Sequence, residues 1–446
     1  MWSINKNIVL FFISVLILTL SFQFNFFNAA SKKNFYNFQR DSEGLVLGRL
    51  IETDKNGFMS QGGFLGRYIS NDLMNYQHNA YKNNFYPQVN FGKYTSSAGF
   101  QGFFYASIDQ VIKSLGVESG SKRFFLIKLL TSAGVAVIIS LFIIFVLKEF
   151  GFIAAITTIF FASISQSLVV FSNNLYWMCF LLLFPFVFVC LFLQQNSKKN
   201  INFKWLYVVI LLAILIKSLA GYEYISTVLI SIMVPLIFYA IKDNWDLFIF
   251  IKRAILLSIT SLIGFFSAIF LHLLQLTWNS GSFSKGFATI WYIIAKRTYG
   301  NPDTVQEIFR KSLESNVRDV LSFYWNGSAI DLQSLFGISS ISVKFSFLII
   351  LIAVISIIGT VLASKFLHNY KKINLALVIS LWFSILAPLS WFILAKGHSY
   401  IHVHINYILW YVPFLLIGFS YLGFFCQLVW CLLKASLNNK RFNIIK

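Results

Sequence analysis

Charge is what this chain lacks most. Asp, Glu, Lys and Arg together supply 12% of its 446 residues, about half the ~25% of a soluble domain, and too few to wet a globule of that size. Acids are the scarcer sign, 16 against 36 Lys+Arg. There are four cysteines, Cys179, Cys190, Cys426 and Cys431. All lie in or beside apolar stretches, with no CxxC and no Cys/His metal spacing, so a disulfide scaffold is excluded and they read as small buried hydrophobes. Disordered and collagen-like classes are excluded by composition. Period-two alternation is missing too, which excludes a transmembrane β-barrel. No phosphate-binding P-loop, GxSxG elbow or dinucleotide glycine fingerprint occurs. The nearest look-alike, Gly62-Gly63-Phe64-Leu65-Gly66, is not followed by Lys-Ser/Thr.

Long apolar runs are abundant. Hydrophobic residues make up 57% of the chain and aromatics 18%, and the mean hydropathy is +0.71. Runs of about twenty such residues are soluble only in a bilayer. The sequence therefore predicts an all-α polytopic membrane protein with about ten transmembrane helices: 8–27, 124–147, 150–171, 175–193, 205–219, 224–241, 254–276, 345–362, 375–394 and 406–428. The 205–219 run is short, and with 224–241 it could form one broken or re-entrant element.

The net charge of +20 would suggest nucleic acid in a soluble protein. No nucleic-acid motif accompanies it, and its placement gives a topology instead. With the N-terminus in the cytoplasm, the inner segments hold Lys6, Lys148, Lys198, Lys199, Lys204, Lys242, Lys252, Arg253, Lys365, Lys371, Lys372, Lys434, Lys440, Arg441 and Lys446, against the acids Glu149, Asp243 and Asp246. The short outer turns hold only Lys217 and Lys396. That asymmetry follows the positive-inside rule, from which long loops are exempt. The expected layout is one transmembrane domain, 1–446, with both termini inside and two large exterior loops, 28–123 and 277–344, containing interfacial helices. The first span reads as an uncleaved anchor, since its apolar core is longer than that of a signal peptide. The first loop should hold helices at 44–51 and 100–115, and the second a helix started by Asn301-Pro302-Asp303.

The spans' outer ends are unusually polar: Arg40-Asp41-Ser42-Glu43, Ser172-Asn173-Asn174, Lys217 through Tyr222-Glu223-Tyr224, and Lys396-Gly397-His398 through His402, His404 and Asn406. Ionisable groups near membrane depth are costly and usually functional, so one site could gather all four clusters. Asp41 and Glu43 would share a face of a strand but lie ~200° apart on a helix. Either carboxylate could take the proton of an attacking hydroxyl as catalytic base, or cap a helix beside Arg40. Lys217 and Glu223 could contact substrate or pair with each other. His398, His402 and His404 could bind a polar headgroup together with Lys396 and Asn406. Two histidines four apart can hold zinc, but the usual nearby carboxylate is missing, so no metal site and no required cofactor is expected. Asn173 offers neutral donors, and Trp177, Tyr222 and Tyr224 offer ring faces.

This layout, with Asp41-Ser42-Glu43 early in a large first exterior loop, resembles the GT-C superfamily of polytopic glycosyltransferases. That superfamily includes protein O-mannosyltransferases, lipid A aminoarabinose transferases and oligosaccharyltransferases. The motif here is DxE, where many members carry adjacent acids or DxD, and no soluble C-terminal domain follows the spans. The resemblance implies an inverting transferase that moves a sugar from a polyprenyl-phosphate donor to an exterior acceptor, which could be a surface glycan, lipid or protein. It implies a multi-pass protein of a bacterial inner membrane with its active site on the exterior face. Asp41 would be the base, with Glu43 next in line. Lys217, Lys396 and the histidines would hold the phosphate. The competing readings are a flippase or transporter, a polymerase of lipid-linked glycan, and a histidine-dependent acyltransferase.

Overall fold

The computed structural model describes residues 6–199, 201–337 and 341–444. Asn200 and Lys446, both assigned to the inner side by the charge pattern, lie outside them. The chain is an all-α polytopic membrane protein. Among the described residues eight helices are long and apolar enough to cross a bilayer. They are Lys6–Phe24, Gly120–Phe150, Cys179–Lys199, Ile225–Lys242, Leu247–Ser280, Phe345–Lys365, His368–Leu394 and Phe414–Ala435. A ninth span is counted if the pair Phe152–Ile164 and Gln166–Ser172, bent by 70°, crosses as one.

One more of the expected runs stands just outside this count by its length. The apolar run at 205–219 does form a helix, Lys204–Ala220, but it has 17 residues. At ~1.5 Å per residue it is ~26 Å long, at the short end of the ~17–25 residues that cross a bilayer, and it runs from the end where Gln194 meets Glu149 to the end where Glu223 lines the outer cavity. It packs along Leu247–Ser280, and Gly264 makes that approach possible: a Cβ there would stand 2.6 Å from the Leu211 carbonyl oxygen. Small residues at such crossings are how membrane helices gain close packing. The apolar window of Leu247–Ser280 is only 22% buried, against 61% for Cys179–Lys199, so the former lies at the periphery and the latter at the centre.

The end bearing the expected inner segments is tied by Glu149, which accepts from Gln194, Tyr239 and Lys242. At the opposite end lie the two long loops. The first holds the helices Arg40–Asn56, Tyr76–Lys82 and Phe100–Ser114, with an antiparallel pair of strands, Leu65–Tyr68 and Phe91–Tyr94. Phe100–Ser114 buries Asp109, which accepts from Arg123 at 2.9 Å and from the Tyr81 hydroxyl. The polar interruption of that apolar stretch is thus a docking contact within the loop. The second loop holds Phe283–Ala295, Glu307–Glu314 and Val317–Asn326, and pairs Ser328–Asp331 with Ser342–Lys344. Arg310 bridges Asp303 and Glu314 on its surface, and the Asn301 side chain caps the short turn Pro302–Thr304.

Candidate functional site

A cavity of about 240 Å³ opens where the two loops meet the span ends. It draws Asp41, Ser42 and Leu45 from the first loop helix, Arg67 from a strand, Tyr176 and Trp177 from the turn before Cys179–Lys199, Glu223, Lys296 and Arg297, and His398 and His402. Asp41, Glu223, His398 and His402, separated by up to some 360 residues of sequence, therefore share one chamber.

The helix Arg40–Asn56 decides which carboxylate faces it. Positions 41, 42 and 45 fall within ~100° of arc at ~100° per residue, while 40 and 43 lie on the opposite side. Asp41 therefore lines the cavity, and no hydrogen bond or ion pair holds its carboxylate among the described residues. Glu43 points the other way and is buried. It lies 3.0 Å from the Lys128 ammonium and 3.1 Å from His78 Nε2, and accepts the Leu175 N–H at 3.2 Å. Burial alone would raise its pKa, but Lys128 and His78 outweigh that and bring it to about 2. A carboxylate so committed fastens the loop helix to three other elements and is a poor proton acceptor. The helix can approach the Leu65–Tyr68 strand because residue 48 is glycine; a Cβ there would collide with the backbone of Gly66 and Arg67. That close contact carries Arg67 to the cavity wall.

The helix start is also pinned from the span side. Gln39 adopts a left-handed conformation, and Asn174 Nδ2 donates to the carbonyls of Phe38 and Gln39. Asn173 Nδ2 donates to the Phe22 carbonyl at 3.1 Å, so Asn173 holds the end of the first span and does not face this cavity.

Lys217 is likewise turned away from it. Its ammonium donates to the carbonyls of Gly221 at 2.5 Å and Glu223 at 2.9 Å, closing the turn that presents Glu223. The Glu223 carboxylate is paired with Arg297 Nη2 at 2.6 Å. Tyr222 meets His272 Nδ1 at 2.9 Å. Lys396 donates to the carbonyls of Leu313 and Ser315 at 2.6 and 2.8 Å, docking the second loop. Asn406 bridges the hydroxyls of Tyr224 and Tyr324 at 2.9 and 3.1 Å, and Tyr224 stacks on Trp177 with ring centroids 5.3 Å apart. His404 Nε2 accepts from Gln39 Nε2 at 2.9 Å. These groups brace the cavity from behind.

The histidine set forms two short helices, Lys396–Ile401 and Val403–Asn406, broken at His402. The rings of His398 and His402 sit 4.8 Å apart. Burial, with His404 and Arg297 nearby, lowers His402 to about 4. Burial, His402 and Arg297 lower His398 as well. Both imidazoles are thus neutral near pH 7. Among the described residues no group of three His, Cys, Asp or Glu side chains could hold a metal ion.

Arg297, Lys296 and Arg67 are the site residues that sequence reasoning missed. The available signal was the adjacent pair Lys296-Arg297 closing an aromatic stretch in the second loop. Arg297 is fixed by Glu223 through Nη2 and by its own carbonyl, which accepts the His398 N–H. Its Nη1 is buried with no hydrogen-bond partner among the described residues, and so is Nε1 of Trp177. An unsatisfied buried donor costs about 1–3 kcal/mol, and two on one cavity wall suit an acceptor-rich ligand. Neither a family model, nor a curated protein, nor a solved structure matches this chain.

Proposed function

We propose that the chain is a membrane glycosyltransferase of GT-C type, moving a sugar from a polyprenyl-phosphate donor to an acceptor hydroxyl on the exterior side. The observation that carries this reading is the pairing, in one cavity, of an uncommitted carboxylate with an anion-binding wall. Asp41 supplies the first; Arg67, Lys296 and Arg297 supply the second. A volume near the lower bound of about 300 Å³ for small-molecule pockets suits a sugar and its phosphate, with the lipid tail left in the bilayer. The charge pattern of the short loops supports an exterior site in a multi-pass protein, and the resemblance to GT-C enzymes implies a bacterial inner membrane.

The reaction is a single displacement. The acceptor oxygen attacks the anomeric carbon and its proton passes to Asp41. The bond from the anomeric carbon to the donor oxygen breaks, and its electron pair leaves on the phosphate. Arg297, pre-aimed by Glu223, and Arg67 stabilise that developing charge. Tyr176 and Trp177 offer faces to the sugar. One inversion at the anomeric carbon follows.

The test is transfer from a polyprenyl-phosphate sugar by purified protein. Asp41→Asn should abolish turnover by about 10²–10⁴-fold with folding intact. Arg297→Lys keeps the Glu223 pair but loses the forked donor, so it should weaken donor binding. Near-normal turnover in Asp41→Asn would reject the base assignment. Accumulation of lipid-linked glycan on the inner leaflet of a deletion strain, with both substitutions silent, would favour a flippase.

A further inference from the structure

A second cavity, of about 430 Å³, lies across the Arg40–Asn56 helix from the first. Its walls include Arg40, Lys82 and Lys128, with Glu43 the one carboxylate among the described residues, and that carboxylate is already bound to Lys128. The Lys82 ammonium makes no hydrogen bond or ion pair among the described residues and stands 4.9 Å over the Phe124 ring. Burial and the neighbouring cations Arg40 and Lys128 pull Lys82 below its ordinary pKa. Arg40, whose Nε donates to the Met74 carbonyl, and Lys82 have no carboxylate partner among the described residues, and two such cations call for an anion with several acceptor oxygens.

The rim says what the anion is attached to. The cavity opens between the C-terminal end of Lys6–Phe24 and the N-terminal end of Gly120–Phe150, where Phe24, Tyr36 and Phe125 are 50%, 68% and 45% exposed. Aromatic side chains at span ends lie at headgroup level, so acyl chains can run down the adjoining helices while the headgroup turns inward.

We infer that this cavity seats the phosphate of an anionic lipid from the adjoining leaflet, held by Arg40 and Lys82. The inference is independent of the glycosyltransferase reading, because Asp41 faces the other cavity.

The experiment uses full-length protein in nanodiscs of phosphatidylcholine, titrated with phosphatidylglycerol and followed by native mass spectrometry. One phosphatidylglycerol should be retained per chain. Lys82→Gln and Arg40→Gln should each weaken it about ten-fold or more, the size expected for one lost charge-assisted contact. Lys82→Arg should restore it, and Asp41→Asn should leave it unchanged. On the unaltered protein, a photoactivatable phosphatidylglycerol should cross-link within 23–40 or 121–128. Equal retention in both Gln variants, or cross-links only elsewhere, would overturn the site. Equally tight binding of inorganic phosphate would overturn its assignment to a lipid. Loss of transfer in Asp41→Asn with unchanged lipid retention would separate the two proposals.

Discussion

Two acids two positions apart should respond to substitution in opposite ways, and Glu43→Gln is the sharper test. In the folded chain Glu43 is 4% exposed and is held by Lys128, His78 and the Leu175 N–H. Moving a carboxyl from an ordinary 4.5 to about 2 corresponds to about 3 kcal/mol of stability at ~1.4 kcal/mol per pH unit. Because the folded value lies below the unfolded one, this stability is fully present above about pH 4.5 and is lost as pH falls toward 2. Glu43→Gln removes it at neutral pH and leaves the Lys128 ammonium without its counter-charge, a loss of the same order as breaking other buried pairs. The assay is thermal unfolding of the purified protein in detergent at pH 7 and pH 4, beside Asp41→Asn. Glu43→Gln should melt several degrees lower at pH 7, with the gap to wild type narrowing as the pH is lowered. Asp41→Asn should melt with wild type at both. A Glu43→Gln protein of wild-type stability that cannot transfer would refute the division of labour and return Glu43 to the catalytic role.

Three further outcomes follow from the same geometry. Lys217→Met should lower stability and turnover together, by about 1–3 kcal/mol for each buried carbonyl left unpaired, read by melting temperature and rate; a variant that raises only the KM for donor would show instead that Lys217 touches phosphate. His402, at about 4, is depressed below its ordinary ~6.5, so the stability of its neutral form is present above about pH 6.5 and lost as pH falls toward 4; kcat/KM should show no inflection near pH 6.5 that disappears in His402→Gln. Gly48→Val should fail to fold by fluorescence-detected gel filtration, since its side chain meets the Gly66–Arg67 backbone, whereas Gly44→Ala should be tolerated, its nearest neighbour being Gln77 Cγ at 3.5 Å.

The membrane helices were legible because a twenty-residue apolar run has one physical solution. The 205–219 run was the least legible of them, because its helix has 17 residues, the short limit of a membrane crossing. Within the site, residues anchored to span ends could be grouped by topology, which is how Asp41, Glu223, His398 and His402 could be gathered from distant parts of the chain. Lys217 and Lys396 passed the same filter and yet bind backbone carbonyls, because sequence shows where a cation sits along a span but not which carbonyls surround it. Arg67 and Arg297 escaped it altogether. Their positions depend on a two-stranded pairing and on a backbone bond from His398 to Arg297, contacts across loops that carry no periodic signal.

The difference between scaffold and site here lies in which polar groups have been satisfied. Burying an ionisable group near a membrane is costly unless partners offset the lost hydration, and most of these groups have them. Lys217 and Lys396 have carbonyls, Glu43 has the Lys128 ammonium, a His78 nitrogen and a backbone N–H, and Glu223 has one side of Arg297. What is left over on the first cavity is a carboxylate at Asp41, the free edge of Arg297, the indole N–H of Trp177 and the Arg67 guanidinium. A fold that completes so many demanding pairs around one chamber could have completed these as well. Leaving Arg297 Nη1 and Trp177 Nε1 buried and unpaired costs stability, and a ligand with an anion to hold would offset it. Under the proposed reaction, Asp41, and not the paired and buried Glu43, is therefore the carboxylate placed to take the acceptor's proton.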